Sequence, residues 1–292
     1  AREAARLSAD PADYAAAWIA RMIAADGSVA FAVEPRARIV QLRGPYFHLR
    51  AATAIAALAS HGGHPRLATK ARRWLAREFE GALSGGRVEA WPADPLVVAA
   101  TLALACIAGV GARDRLAEKA ARLAKERGHG GPSRDTGAFA WHAAQIALAL
   151  GARTPKALWS ACIDDLAERP FAPWTVLAAR AVGDEATLRR GAAALVRSLP
   201  TSGPHAGGAT ATPIPETGLT AIAAHALSGL REHRRARAAA IDFVLARQLL
   251  PDRIPAPVDA ALALGAFSAT PVNDLLRPDI AGHALAALVA GR

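Results

Sequence analysis

The stretch GPYFHLRAATAIAALASHGG, residues 44 to 63, opens on Tyr46, His48 and Arg50. It becomes small and apolar from Ala51 to Ala59 and stops at Gly62-Gly63. A helix that is apolar all round must be surrounded by protein. The polar cluster directly ahead of it then marks where the helix meets solvent or a ligand. This pairing of polar entry and apolar body recurs along the chain.

Helix starts are legible from their caps. Asp10-Pro11, Asp94-Pro95 and Thr154-Pro155 each place a capping side chain before a proline at the first helical position. His64-Pro65 has the proline with a poorer cap, while Gly62-Gly63, Gly128 and Gly151 suit helix ends. Between these marks about a dozen helices are expected, with a last one near residues 279–290.

Alternate members differ in kind. Residues 51–59, 96–110, 138–150, 174–182, 217–227 and 258–267 are apolar nearly all round. The helices between them are amphipathic and arginine-rich, as in KARRWLAREFE and EHRRARAAAIDFVLARQ. Inner helices beginning near 46, 95, 136, 173, 216 and 257 recur about every 40 residues, the sign of a helical repeat. The fold class expected is all-α: one domain over residues 1–292, an α/α toroid of about six hairpins with inner apolar and outer amphipathic basic helices. An open solenoid would carry more polar residues on its inner helices. A closed toroid leaves room for no more than a token β-hairpin near residues 28–42.

Of 292 residues, 52% are hydrophobic and 21% charged, ample for a large core. Apolar runs such as Leu96 to Val110 fall short of the roughly 20 residues of a membrane span, so no span is expected. Net charge is +10, carried by arginine, with lysine only at 70, 119, 125 and 156. Codon bias or a basic surface for an acidic partner both account for that. No RGG tract, basic tail or zinc finger points to nucleic acid. Cys106 and Cys162 have no metal spacing, so neither metal nor cofactor is expected. The sequence opens at Ala1 without Met or a signal h-region, as a cytoplasmic or a mature exported chain would. Nothing in it sets an oligomeric state.

Polar residues gather where the inner helices start. The first start supplies Arg43, Tyr46, His48 and Arg50; the second, Glu89, Trp91 and Asp94; the third, Asp135, Trp141 and His142. Trp174, then His205 and Glu216, then Asp259 complete the set. Aromatic platforms with carboxylates suit a sugar cleft, in which paired acids do general acid–base work. Asp94, Asp135, Glu216 and Asp259 are the candidate catalytic acids. Arg43, Tyr46, His48, Arg50, Trp91, Trp141, His142, Trp174 and His205 are the candidate substrate contacts. Each acid also suits a helix start, as a cap or through the helix dipole, and Trp141 and Trp174 also suit a core. Arg50, on an otherwise apolar helix, calls for an anionic partner, with Asp26, Asp94, Asp259 and Asp279 as candidates. The Gly/Pro-rich residues 200–215 read as a lid or a loose connector.

Two segments, AAAWIARMIAADGSVAF (15–31) and GAFSATPVNDLLRPDIAGHALAALV (265–289), resemble the terpenoid-cyclase-like α/α-toroid superfamily. The first is similar to its WL…Q…DGSF repeat. The second is similar to the closing segment of bacterial toroid proteins, many of them without assigned activity, with Arg277, Asp279 and His283 at the Arg, Asp and His positions. The resemblance implies a toroid in which those three residues tie the last hairpin to the first by ion pairing. The DxDD acid motif, the prenyltransferase zinc set and the lanthionine-cyclase zinc motifs are absent. His225 and His283 read as core histidines.

The function expected is a carbohydrate-active enzyme, of hydrolase, lyase or epimerase type, acting on a polysaccharide or uronic-acid glycan in a central cavity. The alternative is a non-catalytic helical scaffold binding a protein or an acidic glycan. A terpenoid-cyclase-like enzyme without the usual acid motif comes third.

Overall fold

The computed structural model describes residues 10–44, 47–83, 147–148, 150–154, 156, 159–160, 163, 173–209 and 214–290. Nine α-helices and four strands lie among them. In chain order they are α1 (Pro11–Arg21), β1 (Ala32–Glu34), β2 (Ile39–Gln41), α2 (Phe47–His61), α3 (Pro65–Leu83), α4 (Pro173–Val182), α5 (Glu185–Ser198), α6 (Thr217–Ala226), α7 (Arg234–Leu245), α8 (Ala260–Ala263), β3 (Ser268–Thr270), β4 (Asn273–Leu276) and α9 (Pro278–Val289). The chain divides into two compact units, one of residues 1–74 with 199–292 and one of residues 75–198.

Proline starts four of the helices: Pro11, Pro65, Pro173 and Pro278 each stand at the first helical residue, where no amide bond is lost. The Asp10 carboxylate accepts from Ala12 N at 2.9 Å and caps α1. After α1, Asp26 accepts from the Ser28 amide and hydroxyl, closing a turn with Gly27 at φ +97°. A Cβ on Gly27 would come 2.7 Å from the Lys70 carbonyl, so this turn docks on α3 through glycine alone.

In the first unit α9 packs against α2, α6 and α1. A Cβ on Gly282 would sit 3.1 Å from Ala54 Cα of α2, while Arg50, one turn earlier in α2, acts electrostatically on Asp279, one turn earlier in α9. Gly218 lies against Ile280 where α6 meets α9. Both α2 and α9 follow strands of one sheet, and the head of α6 bonds to that sheet. The helix starts at Phe47, Thr217 and Pro278 therefore share one end.

The two ends of the chain are joined in this unit. Trp18, fully buried, donates its indole N–H to Leu262 O at 2.8 Å, and Arg21 donates to Leu264 O. Gln248 donates to Pro11 O at 2.7 Å. His61 at the end of α2 meets Asp13 of α1 at 3.0 Å.

The all-α expectation is corrected: the chain is mainly helical with a four-stranded antiparallel sheet of order β2-β1-β4-β3, more than the hairpin allowed for near residues 28–42. Val33 pairs with Val40 in β2 and with Leu276 in β4, so the sheet draws on both ends of the sequence. β2 leads into α2, β4 leads into α9, and Thr217 at the head of α6 donates to Ser268 O of β3. The sheet thus lies at the end where these three helices start.

The inner helix expected at 257–267 is also corrected. Only Ala260–Ala263 is helical there. Gly265 turns the chain at φ +89°, packed against the Tyr14 backbone, and Phe267 bridges Gln248. The apolar helix that follows α7 is instead α9.

In the second unit α4 packs on α5. Asp184 caps α5, accepting from the Thr187 amide and hydroxyl and from the Trp159 indole. These bonds, the Thr187 amide first, hold its carboxyl below its ordinary value although burial opposes them. Of residues 200–215, the described part is a folded turn. Gly207 N donates to Pro200 O, Gly207 and Gly208 pack against Ala239 and Phe243 of α7, and Ala209 N donates to Thr220 Oγ1 at 2.8 Å. Among the described residues no helix is long and apolar enough to cross a membrane.

Candidate functional site

The candidate contacts fall in different settings. Tyr46, Trp91, Asp94, Asp135, Trp141 and His142 lie outside the described residues. Of the acids that are described, Asp259 caps α8, accepting from Ala261 N at 2.9 Å, and pairs with Arg38 at 3.3 Å. Glu216 stands at the cap position of α6, yet its side chain makes no capping bond. Its carbonyl instead accepts from the Thr220 amide and hydroxyl.

His48 is buried rather than displayed. Its ring stacks on Trp74 at 6.4 Å and meets Phe47 edge-on at 5.2 Å. Phe47 in turn contacts Trp74 at 5.6 Å. The stretch that opened the sequence analysis thus puts Phe47 and His48 into an aromatic core. Arg43, exposed, lies 5.1 Å from the Phe47 ring centre. Trp174 is buried in α4 of the second unit. His205 lies in the folded turn before α6, its Nδ1 buried without a hydrogen-bond partner.

Arg50 is half-buried, its guanidinium 4.3 Å from the centre of the Phe31 ring, a cation–π contact. Phe31 is pressed from another side by Gly44, which has no Cβ to interfere. Of the carboxylates expected to meet Arg50, Asp94 lies outside the described residues, and Arg50 favours the ionisation of Asp279.

Asp279 anchors a charged cluster at the head of α9. Arg277 donates to it from Nε at 3.1 Å and from Nη2 at 2.6 Å. Burial alone would raise the Asp279 carboxyl; the Arg277 charge and bonds, with His283 and Arg50, outweigh it and hold the group below its ordinary range. His283, one turn further along α9, is pushed down to about 4, first by burial and then by the charges of Arg277 and His225, against the pull of Asp279. At neutral pH the cluster is therefore two guanidiniums about one carboxylate, with a neutral imidazole deeper along the helix. The sequence indicated Arg277 only through the resemblance, Asp279 also as a candidate partner of Arg50, and His225 and His283 as core histidines. Among the described residues no three His, Cys, Asp or Glu side chains group to hold a metal ion.

No protein-family model matches this chain, and no curated protein matches its sequence.

Proposed function

We propose that this mainly helical chain binds an acidic glycan at the end where α2, α6 and α9 start. The observation that carries the reading is the gathering of Arg43, Arg50 and Arg277 where α2, α6 and α9 start together. The helix starts add positive potential at that end, since each carries roughly half a unit of positive charge. The net charge of +10 favours an acidic partner further. The aromatic Phe31 and Phe47 supply apolar faces beside the arginines.

Glycoside hydrolysis requires two carboxylates flanking one bond. Of the candidate acids, Asp259 is committed to its cap and to Arg38, while Asp94 and Asp135 lie outside the described residues, so the reading rests on the arginines and product analysis decides catalysis. Titration with polygalacturonate, a sulfated glycan and neutral dextran, with product analysis after prolonged incubation, tests the reading. The result expected is salt-sensitive binding of the acidic polymers, no binding of dextran and no new reducing ends. Equal affinity for dextran, or polymer cleavage, overturns it.

A further inference from the structure

Beyond α7 the chain turns at residues 246 and 247, and residues 247–249 pair with 265–268. Leu249 N donates to Ala266 O at 2.8 Å, Gly265 N to Leu249 O at 2.7 Å and Ser268 N to Arg247 O at 3.1 Å. Between this pairing and the β3–β4 turn lies a pocket of about 290 Å³, lined by Arg247, Gln248, Arg253, Ser268 and Thr270 among others. None of these residues belongs to the cluster about Asp279.

Arg247 stacks on Phe243 at 3.7 Å and donates one N–H to the Phe243 carbonyl. Among the described residues no carboxylate lies within ion-pair distance of it, and partial burial lowers its pKa. Arg253 donates one N–H to Leu245 O at 2.9 Å and has the exposed Asp252 4.0 Å away. A guanidinium has five N–H donors in a planar fork, so both retain donors for an oxyanion. Gln248 is 1% exposed; its Nε2 is held by Pro11 O, which fixes the amide orientation, and its Oε1 is buried with no hydrogen-bond partner.

We propose that this pocket binds a small organic acid, its oxyanion held between Arg247 and Arg253. The volume is at the low end for small-molecule sites and suits a single sugar-sized molecule. A uronic acid and a sugar phosphate share this chemistry, and the inference does not depend on the glycan reading above.

The test is calorimetric titration at low salt with galacturonate, glucose 6-phosphate, inorganic phosphate and glucose. Galacturonate or glucose 6-phosphate is expected to bind below about 1 mM and glucose not to bind. Arg247→Gln is expected to weaken binding at least about tenfold with the melting temperature unchanged, and Arg253→Gln, at the more exposed arginine, carries the test if the first variant fails to fold. Whichever acid binds identifies the source. No acid binding below about 10 mM, or binding indifferent to both variants, overturns the site.

Discussion

Arg277 closes on Asp279 with two hydrogen bonds, at 3.1 and 2.6 Å, across a single intervening residue at the start of α9. Asp279 is 7% exposed, so its charge is held out of water by this pair and by the field of Arg50. Removing one member leaves the rest without their counter-charge. Asp279→Asn is therefore expected to destabilise the protein by about 3 kcal/mol at pH 7, read from urea unfolding. A loss below about 1 kcal/mol would show the pair to be no stronger than a surface one.

His283 gives the stability a pH dependence. Its folded value of about 4 lies below its ordinary 6.5, so between those values the unfolded chain binds the extra proton. Stability is then fully present above pH 6.5 and is lost as pH falls toward 4, by at most about 3 kcal/mol because the ring keeps some accessible surface. Asp279 acts lower: its contribution is present above the ordinary carboxylate value and is lost as pH falls through its own depressed one. His283→Gln should flatten the profile between pH 4 and 6.5 while leaving the more acidic fall in place. An unchanged profile would exclude a neutral buried histidine.

Gly282 permits the close approach of α9 to α2. Alanine would gain roughly 1 kcal/mol of helix propensity there. Its Cβ would stand 3.1 Å from Ala54 Cα and 3.2 Å from Thr53 O, backbone atoms that cannot rotate away. Overpacking should win, and Gly282→Ala should cost about 1–3 kcal/mol net. A stabilised variant would mean that the two helices are less tightly apposed.

Asp259 separates capping from chemistry. Asp259→Asn keeps a capping oxygen and loses only the pair to Arg38, whose side chain is 75% exposed, so stability should hardly change. Asp259→Ala should cost about 1 kcal/mol through the lost cap. Neither change should alter glycan binding. Loss of a glycan-cleaving activity in Asp259→Asn would restore the catalytic reading.

Much of the helical layout is legible in the sequence because proline at Pro11, Pro65, Pro173 and Pro278 marks helix starts locally. The sheet is not, because strands of three or four residues are too short for a period-2 pattern to stand out. Val33 also finds Leu276 only once the chain ends have met. Residues 257–267 read as an apolar helix because composition does not reveal that Gly265 must turn against Tyr14. Arg50 is conspicuous as a charge in an apolar run. Arg247 and Arg253 are not, because they follow an outer helix already rich in arginine, and only the pairing with residues 265–268 sets them around a pocket.

The central claim is that an acidic glycan docks where Arg50 stands, at the end where α2, α6 and α9 start. Arg50→Met keeps the apolar stem over Phe31 and removes the charge. The most direct measurement is its affinity for polygalacturonate beside its melting temperature. The account predicts at least about a tenfold loss of affinity in a protein that still folds, its melting temperature lowered by the loss of the cation–π contact and of the Arg50 charge acting on Asp279. Unchanged affinity in a folded Arg50→Met protein would contradict it.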